Sequence, residues 1–137
     1  MTAARRGVAI FGESVACGYA LGALGDNRAA TRLEPLLADP VPDVRWNAAL
    51  ALARLGDGAG APVLEQMLDR RLLRQVPGIT DDQAEEAMIQ AAPALAAVTG
   101  EAARPRLDRI ATEDPSLKVR QAAIAARQAL DERLTGR

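Results

Sequence analysis

Apolar positions along this chain recur at helical spacing, and short polar turns rich in glycine, proline and aspartate separate the runs. Leu33, Leu36 and Leu37 fall on one side of a stretch spanning 27–38, and Gly25 before it suits the left-handed residue that ends a helix at Leu24. A third helix is predicted to begin at Pro42, where the missing amide proton costs nothing. Asp43 beside it favours the positive helix end, and Leu55-Gly56 stops the run. A fourth is expected from about Ala59 through Leu72 and Leu73 to Val76, ended by Pro77-Gly78. Thr80 followed by Gln83 has capping-box spacing and opens a fifth, to about Val98. Stretches near 101–111 and 116–133 complete the series. No alternation of β-branched residues competes with this reading, so the chain is predicted to be all-α.

The runs repeat. Asp39-Pro40-Val41-Pro42-Asp43-Val44-Arg45-Trp46-Asn47-Ala48-Ala49 returns as Asp114-Pro115-Ser116-Leu117-Lys118-Val119-Arg120-Gln121-Ala122-Ala123. Leu24-Gly25-Asp26 returns as Leu55-Gly56-Asp57, 31 positions later, and the same offset carries Leu33 onto Leu64 and Leu37 onto Leu68. Between the next two units the offset is 43, which places Pro62 on Pro105 and Leu64 on Leu107, so an insertion of about twelve residues has entered near 70–82. Two helical stretches per unit at such a period are the mark of helical solenoids, whose units bury their apolar sides against neighbours.

On Asp39, Val44, Arg45, Ala48, Leu55 and Gly56, repeated as Asp114, Val119, Arg120, Ala123 and Leu130, the chain resembles the HEAT-repeat family, in the short bacterial form called phycobilisome-lyase-like HEAT repeats. The resemblance specifies architecture more than activity. It implies an α-solenoid of about seven helices in one domain, 1–137, with a front half-repeat at 7–24 and units at 27–56, 59–99 and 101–134. It implies inner helices at 42–55, 81–98 and 116–133, lining a concave face, with outer helices at 27–38, 59–76 and 101–111. It further implies a structural ladder in which Asp39, Arg45, Asp114 and Arg120 link neighbouring units. Met88 stands where the second unit would carry its arginine, so the ladder is expected to break there.

Composition narrows the chemistry. The chain has no histidine, which removes Ser-His and Cys-His nucleophiles, imidazole metal ligands and the His-Glu di-iron sets of HEAT-repeat hydroxylases. The acidic cluster Asp81, Asp82, Glu85 and Glu86 reads as first-turn charge complementing a helix dipole rather than as a metal site. Cys17 has no second cysteine to pair with and aligns with the small packing positions Ala48 and Ala123. No cofactor and no enzymatic activity are expected. The apolar run after Arg5-Arg6 is interrupted by Glu13, and no uncharged run is long enough to span a bilayer, so a cytoplasmic protein is expected.

A formal net charge of −1 argues against general attraction to nucleic acid. Arg70, Arg71 and Arg74 form the one basic cluster of note; it reads either as a phosphate contact or as a solvated helix end. The apolar constellation is more informative. With the inner helices in register, Trp46 and Leu50 align with Val15 and Tyr19, with Phe11 one turn earlier, and with Ile89 and Pro93. The only Trp, Tyr and Phe thus fall on one strip, at positions that face away from the stack. The strip reads as a groove for a protein or peptide segment, either an amphipathic helix or an extended chain. The competing reading is that the first helix tilts and buries Phe11, Tyr19 and Trp46 as an end cap. Function is accordingly expected to be that of a non-enzymatic scaffold or adaptor. An accessory subunit of an enzyme complex of the phycobilin-lyase kind is the alternative. The unpaired first helix also leaves room for self-association.

Overall fold

The computed structural model describes residues 27–135, and these contain helices and turns but no strand. The chain divides into two compact units, Met1–Val63 and Leu64–Arg137.

In the first unit, α1 spans Asn27–Leu33 and continues as a 3-10 turn, Glu34–Ala38. The predicted single helix over 27–38 tightens here because Pro35 has no amide proton to extend the α-helical ladder. After the Asp39-Pro40 turn, α2 runs over Pro42–Arg54, with Pro42 in its first turn as anticipated. Gly56, at φ 78°, ends it in the left-handed conformation. A 3-10 turn, Gly58–Gly60, follows, capped by the Asp57 carboxylate, which accepts from the Ala59 amide at 2.8 Å. The apolar centre of this unit is Leu33, Ala51 and Leu52, with Ala30, Leu37 and Leu55 packed around it.

A helix over Ala61–Met67, α3, leads from one unit into the next. The long fourth helix read from the sequence is in fact two. The Asp69 side chain accepts from the amides of Arg71 and Leu72, at 3.0 and 3.4 Å, and so starts a separate short helix, α4, over Arg70–Arg74. An N-cap competes with helix continuation because its own backbone is extended, which Asp69 at φ −103°, ψ 101° satisfies.

Helix α5 spans Asp81–Thr99 behind the expected capping box, in which the Thr80 hydroxyl accepts from the Gln83 amide at 3.1 Å and Gln83 Oε1 accepts from the Thr80 amide at 3.0 Å. Its buried residues, Ala84, Ala87, Met88, Ala91, Ala92, Leu95 and Ala96, repeat at three and four and define one apolar stripe. Helix α6, Arg104–Glu113, turns Leu107 and Ile110 inward, and α7, Leu117–Thr135, contributes Val119, Ala123, Ala126 and Leu130. Helix α7 packs on both α5 and α6. The many alanines on these stripes let the backbones approach closely, and the few large side chains that are fully enclosed, among them Leu95 and Leu107, each stabilise the unit by about 1.5–3 kcal/mol.

Candidate partner-binding faces

Eight consecutive residues of α2, Trp46 to Ala53, cover every side of the helix, and all but Leu50 are buried. Trp46 is 4% exposed. The exposed strip expected through this indole is therefore not open at Trp46: a helix of alanines admits neighbours on all sides, and its largest side chain becomes core. Leu50 is half-buried on α2, as is Ile89 on α5, while Pro93, one turn after Ile89, is exposed. At the matching positions of α7, Gln121 and Ala125 are exposed. Phe11, Val15, Cys17 and Tyr19, with the front half-repeat and its expected role in self-association, lie outside the described residues.

The two Asp-Pro turns have the same local geometry. Asp39 Oδ1 accepts from the Val41 amide at 2.9 Å, and Asp114 Oδ2 accepts from the Ser116 amide at 3.0 Å. Arg45 Nη1 then donates to the carbonyl of Asp39 at 2.8 Å, and Arg120 Nη1 to that of Asp114 at 2.7 Å. Each guanidinium thus clamps its own turn, six residues back, instead of bridging to a neighbouring carboxylate as the ladder reading expected. A side chain leaving the first turn of a helix reaches the carbonyls just before that helix more readily than a second unit.

A carboxylate and a guanidinium from different repeats do meet, and the insertion supplies the cation. Arg70 Nη2 donates to Asp114 Oδ2 at 2.8 Å and Arg70 Nε to Asp114 Oδ1 at 3.2 Å, a two-pronged pair whose side chains are 12% and 6% exposed. Glu85 Oε2 stands 4.0 Å from the same guanidinium. The hydrogen bonds it donates to Asp114 hold the Arg70 guanidinium above its ordinary pKa; burial opposes this, and the charges of Asp114, Glu85 and Asp81 add attraction. Met88, at the position that lacks the repeat's arginine, is 1% exposed and lies beside this pair. The signal available in sequence was the coincidence of a missing arginine at Met88 with a new one at the head of the insertion.

This pair removes Arg70 from the basic cluster. Arg74 is exposed at the end of α4, and the Arg71 side chain is 91% exposed with Asp69 4.0 Å away. Arg71 instead joins a cleft of about 450 Å³ lined by Leu68, Asp69, Arg70, Met88, Arg106, Arg109, Ile110, Glu113, Asp114 and Pro115. Arg106, Arg109, Ile110 and Glu113 come from one face of α6, at spacings of three and four. Sequence reasoning missed Arg106 and Arg109, since α6 alone gives no sign of what stands opposite its charged face. Farther along, Arg104 forks between Glu101, at 2.8 Å, and Asp131, at 2.7 Å, which keeps the guanidinium charged and lowers the Glu101 carboxyl below its ordinary value. Among the described residues no group of three potential metal ligands is gathered, and Glu86 is occupied by Gln90 Nε2 at 2.8 Å.

Residues 14–76 match the family model of HEAT repeats. Over these residues the chain carries HEAT repeats. The matched residues take in α1, α2 and the start of the insertion, and the Asp-Pro turn with its Val-Arg helix recurs beyond them at Asp114 with the same hydrogen bonds. No curated protein and no solved structure is significantly similar to the chain. HEAT repeats in general act as scaffolds for protein–protein interaction. No described helix is long and apolar enough to cross a membrane.

Proposed function

We propose that this HEAT-repeat protein is a non-enzymatic scaffold that holds a protein or peptide partner, with Leu50 on α2 of the first unit and Ile89 on α5 of the second each serving as a contact residue. The observation that carries the reading is the family itself, combined with helices whose apolar stripes are packed while one large aliphatic side chain on α2 and one on α5 stay half-open. Half-open aliphatic positions on otherwise packed helices gain apolar burial when a partner arrives. A sequence without histidine is in keeping with a holding role.

The test uses a photocrosslinking amino acid at position 50 or 89, with position 58, on an exposed glycine turn, as the comparison. In the source cell, positions 50 and 89 should each give a protein adduct and position 58 none. Adducts of equal yield from all three positions, or none at 50 and 89, would overturn the proposal. Leu50→Glu with Ile89→Glu should abolish the adduct of a crosslinker placed next to them while shifting the thermal midpoint little, because neither side chain is fully buried.

A further inference from the structure

The cleft between α4 and α6 has an apolar floor and an unbalanced rim. Leu68, Met88 and Ile110 form the floor, at 4%, 1% and 7% exposure. Of the three carboxylates at the cleft, Asp69 is occupied by the amides of α4, and Asp114 by Arg70 and the Ser116 amide. Arg70 is likewise spent on Asp114. That leaves Arg106 and Arg109 with Glu113 as the remaining carboxylate of the cleft, beside an Arg71 that has only the 4.0 Å contact to Asp69. Arg106 and Arg109 make no hydrogen bond or ion pair through their side chains to any described residue, and Arg71 has only Asp69 at 4.0 Å. Arg106 and Arg109 are thus available to an anion beside an apolar floor, and a guanidinium fork is suited to grip one.

We infer that this cleft is a second binding site, distinct from the inner-helix face, and that it takes an acidic peptide segment in which an apolar side chain sits on Leu68, Met88 and Ile110 while flanking carboxylates meet Arg71, Arg106 and Arg109. Two features favour a peptide over a nucleic acid. The cations are confined to one cleft of about 450 Å³, whereas a phosphate backbone needs a stripe of contacts along its length. The floor is aliphatic, with no aromatic ring on which a base could stack. The planar guanidinium fork suits a carboxylate, which it grips through two hydrogen bonds, and the apolar floor adds a contact that an isolated anion would not use.

The experiment measures fluorescence polarisation of a labelled synthetic peptide carrying one leucine between glutamates, titrated with the full chain at low and at high salt. Binding is expected, weakened by added salt, and absent for the same peptide with lysines in place of the glutamates. Arg106→Glu and Arg109→Glu should each weaken it by about tenfold or more. Arg74→Glu makes the same charge change on an exposed residue that does not line the cleft, and should leave binding within about twofold. Replacing the leucine by serine should also weaken binding, which separates cleft occupancy from mere attraction of charge. Equal losses in the Arg74 and Arg109 variants, indifference to the leucine, or no binding would overturn the inference. So would a single-stranded or duplex oligonucleotide that binds more tightly and displaces the peptide. None of these outcomes bears on positions 50 and 89, so the inner-face proposal stands or falls separately.

Discussion

A methyl group added at position 60 would stand 2.8 Å from the Cα of Ala49 and 3.0 Å from its Cβ, closer than packed carbons approach. The opposing atoms include backbone of α2, so the helix or the Gly58–Gly60 turn would have to move. Gly60→Ala should therefore cost about 1–3 kcal/mol in urea denaturation, the usual range for overpacking. Gly58→Ala, with nothing within 4 Å, should be nearly neutral. At Asp43 the effect is electrostatic. Burial raises its carboxyl above the ordinary value of 3.8, so the folded chain holds that proton more tightly than the unfolded chain. Stability linked to this group is present at low pH and is lost as pH rises through the raised pKa. Asp43→Asn should accordingly gain stability over the parent above about pH 5 and lose that advantage toward about pH 3. A urea midpoint difference that did not change with pH would show that the proton plays no part. Little of this residue-scale detail was legible beforehand: Asp43 was readable as a helix-start charge, but its burial depends on neighbours the sequence does not order.

Helix boundaries were legible where a local chemical signal sets them, as with Pro42, Gly56 and the Thr80–Gln83 box, and less so where side chains intervene. Asp69 splits the expected fourth helix, and Pro35 tightens the end of α1 into a 3-10 turn. The pairing of Arg70 with Asp114 spans 44 residues and has no local signature. It is also the joint most open to measurement. Arg70→Met leaves Asp114, 7% exposed, as a buried carboxylate without its guanidinium and should cost about 3 kcal/mol. Asp114→Asn should cost less, since Arg70 retains Glu85 at 4.0 Å and the amide oxygen can still accept from Ser116. The double variant should be less destabilised than the sum of the singles by about 1–3 kcal/mol. Additive losses in that urea-denaturation cycle would mean that Arg70 and Asp114 do not stabilise the fold as a pair.

Across the molecule, the repeat pattern revealed the all-helical class because periodic apolar stripes survive in every unit, whereas the apolar strip failed at Trp46 because register alone does not say which residues neighbours will cover. Each unit has its own buried residues: Leu33, Ala51 and Leu52 in the first, Leu95, Leu107, Val119 and others in the second. In a repeat array, stability is a sum of local terms and nearest-neighbour interfaces, so damage in one unit need not spread evenly. The single tryptophan makes this observable. Trp46, buried in the first unit, reports there by fluorescence, while far-ultraviolet circular dichroism reports helices of both. Leu107, at 0% exposure, belongs to the second unit. Leu107→Ala should remove about 2–5 kcal/mol from that unit and lower the dichroism midpoint in urea. The Trp46 fluorescence midpoint should move much less, so that two transitions coincident in the parent separate in the variant. If both midpoints fall together, the chain unfolds as one cooperative body, and the second unit's core supports Trp46 as strongly as it supports its own helices.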